Sequence, residues 1–184
     1  MANFELYYPK LKVHEGGYAS ADYAASIGDR GGETYLGIAR NFNPEWQGWQ
    51  IVDEYKANHG VPKWNSTIPD DRLPVLAKQL TKTKYWDALK CDLYASQSVA
   101  EYVCDFGYNS GIRTAAKALQ KVVGVTADGI IGSQTLLVLN GHNQEQVFKA
   151  LVSVRVEFIN NITSLRPDVI KGLIKRAKSF TFVS

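Results

Sequence analysis

Two short glycine-rich stretches, His14–Tyr18 (HEGGY) and Asp29–Ile38 (DRGGETYLGI), decide how the sequence is interpreted. In the first stretch, the carboxylate Glu15 stands at the end of an apolar, helix-like segment, directly before two glycines of the kind that end helices. In the second stretch, Asp29 and Thr34 flank another pair of glycines. Glycine tolerates positive φ and lets a bulky ligand approach the backbone closely. The pattern predicts a carboxylate held at a helix end above a groove.

On the N-terminal side, residues 3–14 place apolar side chains on one helical face, although Pro9 is expected to disturb the middle of that helix. On the C-terminal side, residues 16–43 are rich in Gly, Ala, Ser and Asp, and loops of this length are usually functional. Residues 34–38 have the composition of a short strand. The apolar face of the first helix consists of Phe4, Tyr7, Tyr8 and Leu11.

The remaining chain is predicted to be helical almost throughout. Asn43-Pro44 has the form of a helix start, with Asn as N-cap and Pro in the first turn, and Gly60 has the form of the corresponding stop. A long helical region at 95–121 is expected to break at 107–111. Strand signal is otherwise scarce, so we predict a mostly all-α fold with one elaborated loop. Further helices are expected near 68–89, 133–139, 144–163 and 167–180.

The bulk properties narrow the class of protein. With 184 residues, 45% of them hydrophobic, the chain can form one domain of ordinary size or one with a small appendage. A net charge of +3 and a pI near 8.8 are far from the clustered Lys/Arg surface of nucleic-acid binders, so no nucleic acid is expected as a partner. A weakly cationic surface also suits an anionic polymer such as a bacterial cell wall, but charge alone does not choose it.

Neither a metal site nor a membrane segment is predicted. His14, His59 and His142 lie far apart without ligand spacing. Cys91 and Cys104 are expected to be reduced, half-buried residues, with a disulfide between them as an open alternative. No apolar run approaches the ~20 residues that span a bilayer, so no stable membrane insertion is expected. The N-terminus lacks the pattern of a signal peptide, so we expect synthesis in the cytoplasm.

The two glycine-rich stretches offer the carboxyl groups that glycosidic bond cleavage needs. One protonated carboxyl donates to the leaving oxygen, and a second carboxylate usually acts as base, nucleophile or electrostatic partner. Burial beside aromatic groups raises the pKa of the donor. Glu15 follows an apolar run and has Tyr18 nearby, whereas Asp29 lies in a polar loop beside Arg30, where an ionised carboxylate is stable. The two carboxyl groups are therefore expected to differ in protonation.

Each of these residues also has a purely structural interpretation. A glutamate at a helix end is most often solvated, and two glycines often do no more than end a helix. Asp29 is equally suited to an Asx-turn or an N-cap, and Thr34 and Tyr35 to a plain strand. Taken from the residues alone, the enzyme hypothesis is weak.

Several separated motifs, in this order, resemble glycoside hydrolase family 108, whose lysozyme-like N-acetylmuramidases include phage endolysins and secretion activator proteins. Besides the two glycine-rich stretches, Asp105–Gly111 and residues 115–120 resemble the segment that closes the family's first domain. Val125–Thr135 resembles its C-terminal predicted peptidoglycan-binding module, and residues 155–180 follow its helical pattern.

The resemblance implies a lysozyme-like helical fold with a short loop or β element after the catalytic helix. It also implies a catalytic domain at 1–111 and a helical peptidoglycan-binding domain at 112–184, packed on the first. Within 112–184, Asp128-Gly129 is equally well interpreted as an ordinary turn before a capped helix.

The family's catalytic pattern maps onto three residues. Glu15 matches the catalytic glutamate and would be the general acid, while Asp29 and Thr34 match the loop positions that flank an attacking water in similar phage-type lysozymes. The sequence departs from the pattern at Arg30, where proline is common, and at Tyr35, where a small residue or asparagine is common. These departures affect the expected substrate fit more than the reaction type.

Aromatic and amide side chains are predicted to contact the sugar. Trp64 lies in a polar loop, and the other three tryptophans are expected in the core. Asparagine suits hydrogen bonds to an acetamido group, although the residue before Asn109 is a tyrosine where the family has valine or alanine. The predicted substrate-binding residues are Tyr18, Tyr35, Tyr108, Asn109 and Trp64.

The resemblance implies hydrolysis of the β-1,4 bond between N-acetylmuramic acid and N-acetylglucosamine in bacterial peptidoglycan, with Glu15 as general acid. No metal ion and no organic cofactor are implied, a monomer is expected, and the site of action would be the periplasm or the cell wall after release or export. The alternatives are a lytic transglycosylase, a non-catalytic cell-wall-binding or secretion-associated protein, and a helical interaction protein unrelated to sugar.

Overall fold

A computed structural model describes residues 1–14 and 16–184, with only the backbone described for His14. Nine α-helices and one two-stranded hairpin form most of the regular structure in this described part. The mostly all-α fold predicted from the sequence is confirmed, as is a short β element after the first helix. The helices are α1 (Phe4–His14), α2 (Ala21–Ser26), α3 (Gly48–His59), α4 (Arg72–Thr81), α5 (Gln97–Ser110), α6 (Ile112–Val122), α7 (Ser133–Gly141), α8 (Gln144–Asn160) and α9 (Pro167–Ser179). The strands are β1 (Thr34–Tyr35) and β2 (Ile38–Ala39), and single turns of 3₁₀ helix at Arg40–Phe42 and Cys91–Leu93 and of π-helix at Lys82–Asp87 complete the set.

The chain forms two packing units. The helical unit consists of Met1–Tyr7, Thr81–Thr163 and Pro167–Ser184, and the hairpin unit consists of Tyr8–Leu80 and Ser164–Arg166. These units group residues by packing, whereas the predicted domains at 1–111 and 112–184 describe functional modules, and that division stays a prediction.

The hairpin unit is built around a two-residue turn. Tyr35 and Ile38 are paired across the antiparallel strands, and both are buried. Between them, Leu36 (φ 49°) and Gly37 (φ 74°) both adopt positive φ, as a type I′ turn requires. The turn points Tyr35 and Ile38 into a core that also contains Tyr18, Trp46, Trp49, Val52, Ile68, Leu73 and Ala77.

Helix α3 begins later than the sequence predicts. Asn43 is not its N-cap, because the amide Nδ2 of Asn43 donates to the carbonyl oxygen of Ala39, 2.9 Å away, at the end of the hairpin. The carbonyl oxygen of Asn43 accepts a hydrogen bond from the indole nitrogen of Trp49 at 2.8 Å. The helix starts at Gly48 and ends, as predicted, before Gly60, which has a φ of 80°.

Two other helix predictions are corrected. Pro9 lies inside α1 without ending it, because the buried side chains of Phe4, Tyr7 and Leu11 hold that face of the helix in place. A helix tolerates the missing proline N–H when packing outweighs the lost hydrogen bond.

The break predicted at 107–111 is confined to Gly111 (φ 90°), since residues 107–110 continue α5.

Helix α5 is the centre of the helical unit and packs against α6 and α8. Nearly every residue from Ser98 to Gly107 on it is buried, including Asp105, whose carboxylate binds Arg155 (Nη2–Oδ2, 2.7 Å) and Arg176 (Nη2–Oδ1, 2.7 Å). Trp86 is fully buried in the same unit, so the predicted core positions of Trp46, Trp49 and Trp86 are all confirmed.

The two cysteines are buried more completely than predicted. Cys91 and Cys104 are both 0% exposed and unbridged. Burial, followed by a hydrogen bond that the Cys91 thiol donates to Cys104, raises the pKa of Cys91. The Cys91 thiol is therefore protonated at neutral pH.

Candidate active site

The segment directly after Glu15 is tied to a distant turn. Glu15 itself, the predicted general acid, lies outside the described residues. The backbone N–H of Gly17 donates to Oδ1 of Asn65 at 2.9 Å, and Tyr18 exchanges two backbone hydrogen bonds with the same turn, to the Ser66 oxygen (2.9 Å) and from the Asn65 nitrogen (2.7 Å). A Cβ on Gly17 would collide with the Ser66 carbonyl oxygen and lie 2.7 Å from the carbonyl carbon of Asn65. Glycine is therefore required at position 17 for this close approach.

The two glycine-rich stretches meet in an antiparallel bridge. The nitrogen of Ala19 donates to the oxygen of Thr34, and the nitrogen of Thr34 donates to the oxygen of Ala19, both at 2.8 Å. The hydroxyl of Thr34 donates to the Gly32 oxygen at 3.1 Å, and the side chain is half-buried. The structure therefore places Thr34 beside the chain that follows Glu15.

Asp29 lies in an Asx-turn. Its Oδ1 accepts a hydrogen bond from the Gly31 nitrogen at 2.8 Å, and its own nitrogen donates to the Ala24 oxygen at 2.9 Å. The residue is exposed. Asp29 thus forms the Asx-turn that its structural interpretation predicts. A carboxylate has two oxygens and several acceptor positions, so the same group can also contact water or substrate.

The sequence did not predict a charged cluster that consists of Glu33, Arg40, Asp53 and Lys56. Glu33 is only 8% exposed, and its Oε1 accepts hydrogen bonds from the Tyr18 hydroxyl (2.6 Å) and from Lys56 Nζ (2.7 Å). Its Oε2 lies 2.8 Å from Arg40 Nε. Arg40 in turn binds Asp53 with both terminal nitrogens, at 3.0 and 2.7 Å.

The charges of this cluster perturb its titrating groups. Burial, and then the hydrogen bond to Glu33, raise the pKa of Tyr18. The hydrogen bond from Arg40 lowers the pKa of Asp53. One sequence signal could have identified the cluster. Asp53 and Lys56 are three residues apart and so lie on one face of α3, and Glu33 is an acidic residue directly before strand β1.

Tyr18 and Tyr35 belong to the core of the hairpin unit. They are 3% and 2% exposed, and the Tyr35 hydroxyl accepts a hydrogen bond from the Ile68 nitrogen at 2.8 Å. Little of either ring is therefore open to solvent, and their contact with a sugar stays a prediction. Tyr18 is anchored through Glu33, and Tyr35 is anchored through the chain before α4.

The other predicted substrate-binding residues have more accessible positions. Trp64, in the turn that binds Gly17 and Tyr18, is 65% exposed. Tyr108 and Asn109 belong to the helical unit, in the last turn of α5. The Tyr108 ring packs 4.8 Å from that of Tyr85, and Asn109 Nδ2 donates to the Asp105 oxygen at 2.8 Å. Their contact with substrate stays a prediction.

Within the described ranges, no three side chains of the His, Cys, Asp or Glu type come together in a way that would hold a metal ion. None of the helices in the same part of the chain is both long and apolar enough to cross a membrane.

Comparison with known proteins agrees with the resemblance drawn from the sequence. The family described as Glycosyl hydrolase 108 matches residues 8–111. Among solved structures, the structure of Brucella abortus SagA is similar, with a TM-score of 0.70 and 24% sequence identity over 98% of this chain and 97% of that one, and this likeness concerns the fold. No curated protein sequence shows significant similarity to the chain. Since the family match covers more than half of the residues and includes both glycine-rich stretches, the chain belongs to the glycosyl hydrolase 108 family and is a glycoside hydrolase.

Proposed function

We propose that the protein is an N-acetylmuramidase that hydrolyses the β-1,4 bond between N-acetylmuramic acid and N-acetylglucosamine in bacterial peptidoglycan. The observation that carries the proposal is the bridge between Ala19 and Thr34, which joins the chain after Glu15 to the loop that contains Asp29. The bridge therefore supports a common site for the residues that the family pattern assigns to one reaction.

In this mechanism, Glu15 is the general acid that protonates the glycosidic oxygen as the bond breaks. The exposed, loop-held carboxylate of Asp29 and the hydroxyl of Thr34 orient the water, or stabilise the positive charge that develops at the anomeric carbon. A separation of ~5–5.5 Å between the two carboxyl groups would give retention of configuration, and ~6.5–9.5 Å would give inversion.

The other carboxylates of the charged cluster are poor candidates for the acid. Both carboxylate oxygens of Glu33 are engaged within the protein, by Lys56 and the Tyr18 hydroxyl on Oε1 and by Arg40 on Oε2. Asp53 has a lowered pKa because Arg40 donates hydrogen bonds to it. Asp53 is therefore ionised at neutral pH, and both oxygens of Glu33 are engaged within the protein, which supports Glu15 as the donor.

Residues 112–184 would form the peptidoglycan-binding domain of this enzyme. Their predicted motif residue Asp128 is engaged within the protein, where Oδ1 accepts hydrogen bonds from Gln120 Nε2 on α6 (2.7 Å) and from the Ile130 nitrogen (2.8 Å). The ordinary-turn interpretation of Asp128 is therefore favoured, and wall contacts would come from other groups. We further propose that the enzyme acts as a monomer at the cell wall or in the periplasm.

The test is digestion of purified peptidoglycan by wild type and by Glu15→Gln, with the soluble products identified by mass spectrometry. Glu15→Gln keeps the size of the side chain and removes the proton donor, so reducing muramic ends should disappear. Glu45→Gln, the same change at an exposed position of the hairpin unit, should digest like wild type. Anhydro ends from the wild type would indicate a transglycosylase, and activity in Glu15→Gln would exclude Glu15 as the acid. Binding to sacculi without digestion by the wild type would favour a wall-binding protein.

A further inference from the structure

Two aromatic side chains stand exposed together beside the segment that follows Glu15. Trp64 is 65% and Tyr23 is 40% exposed, and their ring centroids lie 5.8 Å apart with an angle of 49° between the ring planes. The other three tryptophans are at most 6% exposed. Leaving a large aromatic surface in water forgoes the free energy that burial would provide, so an exposed aromatic pair calls for an explanation in binding.

Trp64 is held at the tip of a tight turn. The turn closes through the Ser66 nitrogen, which donates to the Lys63 oxygen at 3.0 Å, and Asn65 in its centre has a positive φ of 59°. Asn65 and Ser66 also make the hydrogen bonds to Gly17 and Tyr18 described above. Hydrogen bonds therefore hold the turn of Trp64 against the part of the chain that follows Glu15.

Tyr23 is held by a different element. It lies on α2, and its backbone nitrogen donates to the N-cap hydroxyl of Ser20 at 3.2 Å. Ser20 directly follows Ala19, the residue that pairs with Thr34. The Trp64 ring thus rises from a turn that is hydrogen-bonded to Gly17 and Tyr18, and the Tyr23 ring rises from a helix that begins two residues after Ala19.

We propose that Trp64 and Tyr23 form a sugar-binding platform, on which an N-acetylhexosamine ring of the glycan strand stacks next to the bond to be cleaved. This inference rests on the proposed function and names a subsite of the same groove. Pyranose rings present an apolar face of C–H groups that packs on aromatic rings, and neither ring carries a charge that would select a charged ligand. Two tilted rings offer a face and an edge to one pyranose.

The position of Trp64 makes the proposal directly measurable. Because Trp46, Trp49 and Trp86 are buried, a water-soluble quencher such as acrylamide reaches Trp64 first. In Glu15→Gln, which should bind glycan without cutting it, the N-acetylglucosamine tetramer should shield Trp64 from the quencher and shift its emission to shorter wavelength. Trp64→Phe should lose the exposed emission component and so identify the signal.

Kinetics of peptidoglycan digestion give a second measurement. Trp64→Ala and Tyr23→Ala should each raise KM about tenfold or more with kcat within about threefold of wild type, since uniform binding is lost. Val75→Ala, at an apolar position on α4 that is also 65% exposed, is the matched control and should leave KM unchanged.

The outcomes separate the platform from the proposed function. If wild type digests peptidoglycan while both alanine variants keep KM and the tetramer leaves Trp64 equally accessible, the platform is refuted and the muramidase stands. If nothing digests peptidoglycan but the tetramer shields Trp64, the muramidase fails and the sugar-binding platform stands. If KM rises in both alanine variants only in proportion to a fall in their melting temperatures, the platform is also overturned. These side chains are exposed and should be replaceable without unfolding the protein.

Discussion

The hydroxyl of Tyr18 lies 2.6 Å from Oε1 of Glu33, so a buried phenol three residues after Glu15 donates to a carboxylate in the opposite glycine-rich stretch. The same carboxylate oxygen accepts a hydrogen bond from Lys56 at 2.7 Å. One carboxylate oxygen thereby links the chain after Glu15, the loop before Thr34 and helix α3.

Tyr18→Phe should destabilise the protein by about 1.5–3 kcal/mol, because a hydrogen bond to a charged group is lost and Glu33 loses a buried donor. We also expect lower kcat, since the segment after Glu15 then loses one of the contacts that hold it in place. Urea unfolding and digestion assays measure the two effects. Tyr23→Phe, the same change at an exposed tyrosine, should alter stability by less than about 0.5 kcal/mol. Equal stability of Tyr18→Phe and wild type would contradict a structural role for this hydrogen bond.

Asp53 should contribute to acid sensitivity. Its pKa is lowered from 3.8 by the hydrogen bond from Arg40, so it binds protons less readily in the folded state than in the unfolded one. This contribution is complete above the unfolded pKa of about 4 and is lost as pH falls through the lower folded pKa. The side chain is 50% exposed, so solvent screening limits the contribution to under about 1 kcal/mol.

The measurement is the free energy of unfolding of wild type and Asp53→Asn at pH 6 and at pH 2.5. Wild type should be the more stable of the two at pH 6, and the difference should be smaller at pH 2.5. Raised salt should shrink the difference at pH 6, because the pair is partly exposed. A difference that grows on acidification would have the wrong sign for a carboxylate with a lowered pKa.

Gly17→Ala should impair both folding and activity. The new methyl group would collide with the Ser66 carbonyl oxygen, so the turn that carries Trp64 must move away from the chain after Glu15. Overpacking against backbone of this kind costs about 1–3 kcal/mol. Gly132→Ala is the matched control, since its Cβ would meet nothing within 4 Å and its φ is −99°. Thermal melting of the two variants should therefore give a drop only for Gly17→Ala.

Much of the helical framework is predictable because burial repeats at the helical period. Val99, Tyr102, Val103 and Phe106 recur on one face of the sequence pattern, and all four are buried in α5. Gly60 ends α3 as expected, since glycine adopts positive φ without strain. Both signals depend only on residues that are close together in the chain, so they can be recognised from the sequence alone.

The parts of the site that escaped prediction depend on residues distant in sequence. The turn at Asn65 reaches Gly17 across 48 positions, and nothing in either segment indicates the other. Asn43 shows a second limit, because an asparagine before a proline suits an N-cap, yet its side chain binds the hairpin instead. Tyr35 shows a third limit, since a strand alternates its faces and sequence alone did not establish which face is buried.

Asp29 allows a structural role to be separated from a catalytic one. Its Oδ1 accepts a hydrogen bond from the Gly31 nitrogen, which Asn can also accept and Ala cannot. If the charge of Asp29 orients water or stabilises the transition state, Asp29→Asn should lower kcat by about 10²–10⁴-fold at unchanged melting temperature. Asp29→Ala should show the same loss of kcat and, in addition, lower stability by about 1 kcal/mol through loss of the Asx-turn. If instead Asp29 only closes the loop, Asp29→Asn should digest peptidoglycan like wild type and Asp29→Ala should lose stability, and the second carboxylate of the reaction would have to be sought elsewhere in the hairpin unit.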